Sequence, residues 1–288
     1  NFEDLSQLTD LTAAIVETAG RDLLICVDHE GGRVQRFRDG FTRLPPLAVL
    51  GRLYKKSTVN ACDFAYRHGR VMATELLLCG VDLSFAPVLD IGGRSLVIGE
   101  RAFSADLPAI IELAAAYVAG MHDAGMSATG KHFPGHGSVI ADSHTHDVSD
   151  ARTFDEIERL DLRPFAALSD KLDAIMMAHV LYPQVDKVPA GYSPFWINDV
   201  LRQRLGFQGT VFSDDLGMYA AKVAGGLIDR VRDSLLAGCD AVLVCDPAEV
   251  RQLLATGKLP ATDSSLALRK LKGRNTASRE DIERVGEW

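Results

Sequence analysis

Short apolar runs alternate along this chain with longer stretches in which hydrophobic positions recur at helical spacing. Over 3–20, Leu5, Leu8, Leu11, Ile15 and Val16 form such a stretch, and Gly20 closes the predicted helix. Leu23-Leu24-Ile25-Cys26-Val27 is continuously apolar, as a strand buried on both faces requires. Residues 41–57 read as loop, punctuated by Pro, Gly and Arg. A helix over 58–79 is closed by Gly80, and 81–88 reads as a second strand. The next helix spans about 107–124, with Ile111, Ala114, Ala115, Val118 and Met121 on one face and Gly125 at its end. A third strand, about 126–132, delivers Lys131 and His132. Thr153-Phe154-Asp155-Glu156 is a capping box, and Pro164 should interrupt the helix that it starts. Ala174-Ile175-Met176-Met177-Ala178 is a fourth strand, ending at His179, and a helix then runs to Leu205. Thr210-Val211-Phe212-Ser213, a helix over about 226–237 and Ala241-Val242-Leu243-Val244-Cys245 complete the series.

Strands that alternate with helices from end to end predict βα units and a parallel sheet. No low-complexity linker or charge block divides the chain. Asp28, Asp90, Lys131 with His132, His179, Asp214 and Asp246 all stand at or just after the C-terminal ends of predicted strands. In a barrel those ends share one face, where active sites sit. A doubly wound sheet would spread them along an edge. An α/β barrel is therefore the predicted fold class, and the strands read here are two short of the eight that close one.

Composition narrows the picture. Apolar residues make up 47%, enough for a sizeable core. The net charge of −8, with Arg and Lys scattered apart from Arg33, Arg36 and Arg38, argues against a nucleic-acid surface. No apolar run approaches the roughly 18 residues of a membrane helix. The opening Asn-Phe-Glu-Asp has neither the basic start nor the apolar segment of a signal peptide, and lacks an initiating Met, so a fragment or processed form is expected. Five cysteines without Cys-x-x-Cys spacing suit a reducing compartment; Cys26, Cys239 and Cys245 read as small buried hydrophobes.

The chemistry concentrates in Lys131-His132-Phe133-Pro134-Gly135-His136-Gly137 and Asp142-Ser143-His144. A carboxylate beside an imidazole, as in Asp142 and His144, raises its pKa and fixes its tautomer, which prepares a general acid/base. A solvated surface histidine is the plainer alternative. In Asp214-Asp215, one carboxylate is expected to face a site and the other to cap or pair. Lys131 and His132 can donate to substrate oxygens, although His132 could equally be a core residue. Asp28, Arg36 and Arg101 are candidate substrate clamps, or else solvated loop charges. A zinc site from His132, His136, His144, His146 and His179 is conceivable, but no His-Glu-x-x-His pair supports it. Gly31-Gly32 and Gly92-Gly93 lack phosphate-loop spacing.

Taken together, the loop from Lys131 to His144 resembles the signature of family 3 glycoside hydrolases, specifically the bacterial β-N-acetylglucosaminidase branch. Asp28-His29-Glu30-Gly31-Gly32-Arg33-Val34-Gln35-Arg36 resembles the family's substrate-binding turn. Phe85 to Asp90, Val97 to Arg101, Ala178-His179-Val180 and Phe212 to Met218 follow in the family's order. His29 and Gly217 depart from the residues common there, Gln and Ser.

The resemblance implies a single TIM-like (β/α)8 barrel over 1–288, with two strands upstream of Asn1. It implies a retaining exo-hydrolase of β-linked N-acetylglucosamine, with Asp214 as nucleophile and His144 as acid/base, partnered by Asp142. Asp28, Arg36, Arg101, Lys131 and His132 fall on sugar-binding positions. No metal or other cofactor is expected. The expected substrate is a small carbohydrate, the N-acetylglucosaminyl-1,6-anhydro-N-acetylmuramyl muropeptides of peptidoglycan recycling, handled by a cytoplasmic monomer without nucleic-acid or membrane partners. Retaining glycosidases usually pair two carboxyl groups roughly 5–5.5 Å apart; here His144 would replace one of them. The alternatives are a family 3 enzyme of other specificity such as a β-glucosidase, a metal-dependent barrel hydrolase, and a catalytically silent sugar-binding protein.

Overall fold

The computed structural model describes residues 2–93, 95–139, 148–257 and 265–274. The helix α1 (Leu5–Ala19) starts at Asp4, whose carboxylate accepts the Gln7 N–H, and ends at Gly20 in the left-handed conformation. β1 (Cys26–Val27) leads into a short antiparallel hairpin, β2 (His29–Gly31) and β3 (Val34–Gln35). After α2 (Ala48–Tyr54) and α3 (Thr58–Leu78), β4 (Leu83–Ser84) pairs in parallel with β1. α4 (Leu107–Asp123) separates it from β5 (Thr129–Phe133). The chain from β4 stays extended: the Thr129 N–H donates to the Ala86 carbonyl and the Leu89 N–H to that of Lys131, so this segment lies beside β5.

Beyond it, β5, β6 (Ala174–Met177), β7 (Thr210–Asp215) and β8 (Ala241–Leu243) form one parallel sheet in sequence order. α5 (Phe154–Arg159), α6 (Leu162–Leu168), a π-type helix over Phe195–Arg204 and α7 (Leu227–Ala237) supply the crossovers. α8 (Pro247–Ala255) and α9 (Ser265–Lys270) follow.

The sheet curls on itself. Leu83, Phe85, Ala174, Met176 and Phe212 form one apolar cluster with Cys26 of β1 and Ala241 and Leu243 of β8. Strands from opposite ends of a flat sheet could not share such a cluster, so these side chains fill the inside of a TIM-like α/β barrel. Leu268 and Leu271, in and just after α9, pack into the same cluster. The alternate residues Ile175, Met177 and Val211 point outward into the larger core beneath the helices. There α3 and α4 pack closely, because a Cβ on Gly69 would strike the Tyr117 carbonyl and one on Gly120 that of Tyr66.

The strands and long helices fall where the sequence places them, and the Thr153 capping box forms. The chain breaks between α5 and α6 at 160–161, leaving Pro164 in the first turn of α6, where its missing N–H costs nothing. Residues 41–57 are not all loop. α2 forms there without a side-chain cap, held by the buried Leu47 and Leu50, so packing rather than propensity makes it. On α1 only Leu8 of the predicted stripe is buried; Leu11, Ile15 and Val16 are exposed. Cys239 is buried and Cys26 partly so, but Cys245 is exposed, because β8 ends at Leu243 and the chain has already left the sheet. Asp246 caps α8 through the Ala248 and Glu249 N–H groups and is exposed, so it is not part of the polar cluster.

Candidate active site

The C-terminal ends of the strands carry the polar residues. The pairing of β1 with β4 sets Val27 opposite Ser84, and the Ser84 hydroxyl both donates to the His29 carbonyl and accepts the His29 N–H. This fixes the hairpin that carries Glu30. The Val88–Lys131 bridge in turn sets Asp90 against His132.

A charge network follows from this register. Lys131 points inward from β5; its Nζ lies 2.8 Å from Asp28 Oδ1 and 2.6 Å from Glu30 Oε1. Glu30 also receives Arg101 through two hydrogen bonds, Nε to Oε2 at 2.8 Å and Nη2 to Oε1 at 2.7 Å, the strong forked geometry of guanidinium and carboxylate. Arg36 stands at the edge, 3.8 Å from Asp28. Burial opposes the ionisation of Asp28, but the Lys131 ammonium, with Arg36 and Arg101 behind it, holds its carboxyl down at about 2. Burial likewise opposes a charge on Glu30, and Lys131 and Arg101 hold it below the usual carboxylate range. Lys131 is desolvated too, yet Asp28 and Glu30 raise its pKa.

Across the site, Asp90 Oδ2 lies 2.6 Å from His132 Nδ1, and Oδ1 accepts the His136 N–H at 2.6 Å. The two aspartates closing β7 part company. Asp214 lines the cavity; Asp215 turns away and accepts the Gly217 N–H at 2.9 Å and the Cys245 N–H at 3.0 Å. His179 is buried beside them and stacks on Tyr192 with ring centres 5.6 Å apart; burial pushes its pKa down. Burial does the same to His136.

These groups surround a cavity of about 500 Å³ lined by Asp28, Arg36, Arg101, Lys131, His132 and Asp214, with Val34, Val97 and Met176 as its apolar wall. Such a pocket offers acceptors and fixed cationic donors to a polyhydroxylated ligand and one carboxylate whose only hydrogen bond, among the described residues, comes from the adjacent Asp215 N–H, at 2.8 Å. Among the described residues, no three His, Cys, Asp or Glu side chains converge as a metal would need.

The sequence model of the glycosyl hydrolase family 3 N-terminal domain matches residues 1–272. The chain belongs to glycosyl hydrolase family 3. A beta-hexosaminidase of Stenotrophomonas maltophilia strain K279a is 54% identical over 255 residues, covering 88% of this chain and 76% of that protein. One from Idiomarina loihiensis is 48% identical over 292 residues, covering 100% and 88%. Among solved structures, NagZ from Neisseria gonorrhoeae in complex with N-trifluoroacetyl-D-glucosamine superimposes with a TM-score of 0.89 at 45% identity, covering 100% of this chain and 84% of that one.

In this family 3 barrel, the predicted residues Asp28, Arg36, Arg101, Lys131, His132 and Asp214 stand around one cavity although they come from distant parts of the sequence. Asp142 and His144 lie outside the described residues. Three participants had no assigned role in the sequence. Glu30 is the anchor of both cations. Asp90, recognised only as a polar strand end, holds His132. Arg33 donates to the Val97 carbonyl and braces the rim. A carboxylate two residues after Asp28 was the available signal for Glu30, but its partner Arg101 is 71 positions away.

Proposed function

We propose that this chain is a retaining exo-β-N-acetylglucosaminidase that removes non-reducing-end N-acetylglucosamine from peptidoglycan fragments during cell-wall recycling in the cytoplasm. The observation that carries the reading is the convergence of Asp214 with the Asp28, Lys131, Arg101 and His132 cluster around one cavity. The beta-hexosaminidase names of its relatives support the sugar class. Muropeptides carrying a 1,6-anhydro-N-acetylmuramyl unit are the proposed natural substrate.

In the first step an Asp214 oxygen bonds to the anomeric carbon as the glycosidic C–O bond breaks. The His144 imidazolium protonates the leaving oxygen. In the second step neutral His144 takes a proton from water, whose oxygen bonds to the anomeric carbon and displaces the Asp214 carboxylate. A histidine needs little tuning to do both near neutral pH. Asp28 and His132 would bind sugar hydroxyls, with Lys131, Arg101 and Arg36 donating to their oxygens.

Intact-protein mass spectrometry after reaction with 5-fluoro-N-acetylglucosaminyl fluoride, followed by peptide mapping, tests the reading. The expected result is a covalent hexosaminyl adduct on Asp214. Turnover without an adduct, abolished by chelation, would replace it with a metal-dependent hydrolase. Neither adduct nor turnover would leave a sugar-binding protein.

A further inference from the structure

Asp90 is 1% exposed and, among the described residues, accepts three hydrogen bonds. Two arrive at Oδ2 from His132, from ring Nδ1 at 2.6 Å and from the backbone N–H at 3.2 Å; the third reaches Oδ1 from the His136 N–H at 2.6 Å. The other ring nitrogen of His132, Nε2, lies 3.5 Å from Arg101 Nη2, and His132 lines the cavity. A guanidinium has N–H donors and no lone pair, and a carboxylate has lone pairs and no proton. One neighbour therefore selects a proton on Nδ1, and the other selects a lone pair on Nε2. Arg101 is not free to turn away, because Glu30 holds it by two hydrogen bonds. Both neighbours choose the same arrangement, with the proton on Nδ1.

This matters for the balance of donors and acceptors in the cavity. Among the described residues lining it, Lys131, Arg101, Arg36 and Arg33 are donors, whereas Asp28 and Asp214 are the carboxylate acceptors. Each sugar hydroxyl has one proton to give as well as lone pairs to fill. An imidazole lone pair supplies a further acceptor without adding negative charge beside the attacking carboxylate.

We infer that Asp90 is a positioning residue that holds His132 in the Nδ1–H tautomer, so that the single Nε2 lone pair, engaged by Arg101 Nη2 only at a long 3.5 Å, accepts a hydrogen bond from a hydroxyl of the bound sugar rather than Nε2 donating one. The sugar part of this inference rests on the proposed glycosidase reading; the tautomer does not. An isosteric amide should undo the arrangement. In Asp90→Asn the orientation that keeps both 2.6 Å contacts puts the amide oxygen on the His136 N–H and the NH2 group toward the His132 ring, giving up only the longer 3.2 Å contact from the His132 N–H. Nδ1 must then accept, and the proton moves to Nε2, the same logic by which a carboxylate-to-amide change misorients the histidine of a catalytic triad.

The test uses the full chain with 15N-labelled histidine and two-bond 1H–15N correlation spectra at pH 7, with His132 assigned from the spectrum of His132→Ala. We expect the Nδ1–H pattern in the wild type and the Nε2–H pattern in Asp90→Asn. With 4-nitrophenyl N-acetylglucosaminide, Asp90→Asn should raise KM about tenfold, the value of one hydrogen bond to the ligand, with a smaller change in kcat. In a His132→Ala background the same substitution should change KM by less than about twofold, since residues that act as a unit are not additive. An Nε2–H pattern in the wild type would overturn the inference. An equal KM rise with and without His132 would also overturn it, leaving Asp90 only as an anchor for the backbone at His136. Failure of the glycosidase reading would show separately, as a wild-type protein without turnover whose tautomer can still be read.

Discussion

The Lys131 ammonium and the Glu30 carboxylate lie 2.6 Å apart, and each side chain is 1% exposed. Neither could be buried alone, since an isolated charge in a dry interior costs several kcal/mol. Glu30 also carries Arg101, so one carboxylate bridges two cations that line the cavity, and Asp28 on Lys131 supplies the second negative charge. Glu30→Gln removes the carboxylate that pairs with Arg101 and leaves Lys131, among the described residues, with Asp28. We expect a loss of about 3–5 kcal/mol in folding free energy, as for other broken buried pairs, together with a raised KM. Urea denaturation at pH 7 measures the first and steady-state kinetics the second. A stability within about 0.5 kcal/mol of the wild type would show that the network is dispensable to the fold.

Asp214 and Asp215 should separate activity from stability. Among the described residues, Asp214 accepts a single neighbouring N–H, whereas Asp215 ties the Gly217 and Cys245 amides into the turn after β7. Asp214→Ala is expected to lower kcat on the order of 10³-fold or more with little change in stability. Asp215→Ala should cost about 1–3 kcal/mol by leaving two amides unpaired, while retaining far more activity. Equal kinetic losses in the two variants would remove the division of labour between them.

Acid should weaken the fold in two stages. His29 and His68 are buried, and burial holds both at about 4, below the unfolded value of about 6.5. The unfolded chain therefore binds more protons between those values, and stability present above about 6.5 is lost as pH falls toward 4. Asp28, held at about 2, and Glu30, also lowered, extend the loss below about 4, their unfolded range. His122, raised by its bond to Asp173, titrates in the opposite sense: its contribution is present below about 6.5 and disappears as pH rises through its folded value. That pair is partly exposed and so counts for less. Urea midpoints measured at pH 7, 6 and 5 should fall steadily, and less so in His68→Gln. A flat profile over this range would contradict the neutral buried histidines.

Asp142→Ala tests the proposed partner of the acid/base. If Asp142 orients and polarises His144, turnover should fall by about 10²-fold or more while the affinity for N-acetylglucosamine is kept. Calorimetry reads the affinity and stopped assays the rate. Unchanged turnover would rule out the pair.

The sequence alone determined the alternation of strands and helices, because hydrophobic period and capping chemistry are local. Asp4 and Gly20 bound α1, and Thr153 opens α5, for reasons contained within a few residues. It also placed Asp28, Lys131, His132 and Asp214 at strand ends, which is enough to suggest one polar face. Tertiary structure decided which strand-end residues use that face. Asp246 caps a helix instead, Asp215 ties a turn, Cys245 reaches the surface, and α2 forms where local propensity is weak. The contacts that make the site, Glu30 with Arg101 and Asp90 with His132, join residues 71 and 42 positions apart. They depend on strand register and on the curvature of the sheet, which arise only when distant segments pack, so no local pattern in the chain encodes them.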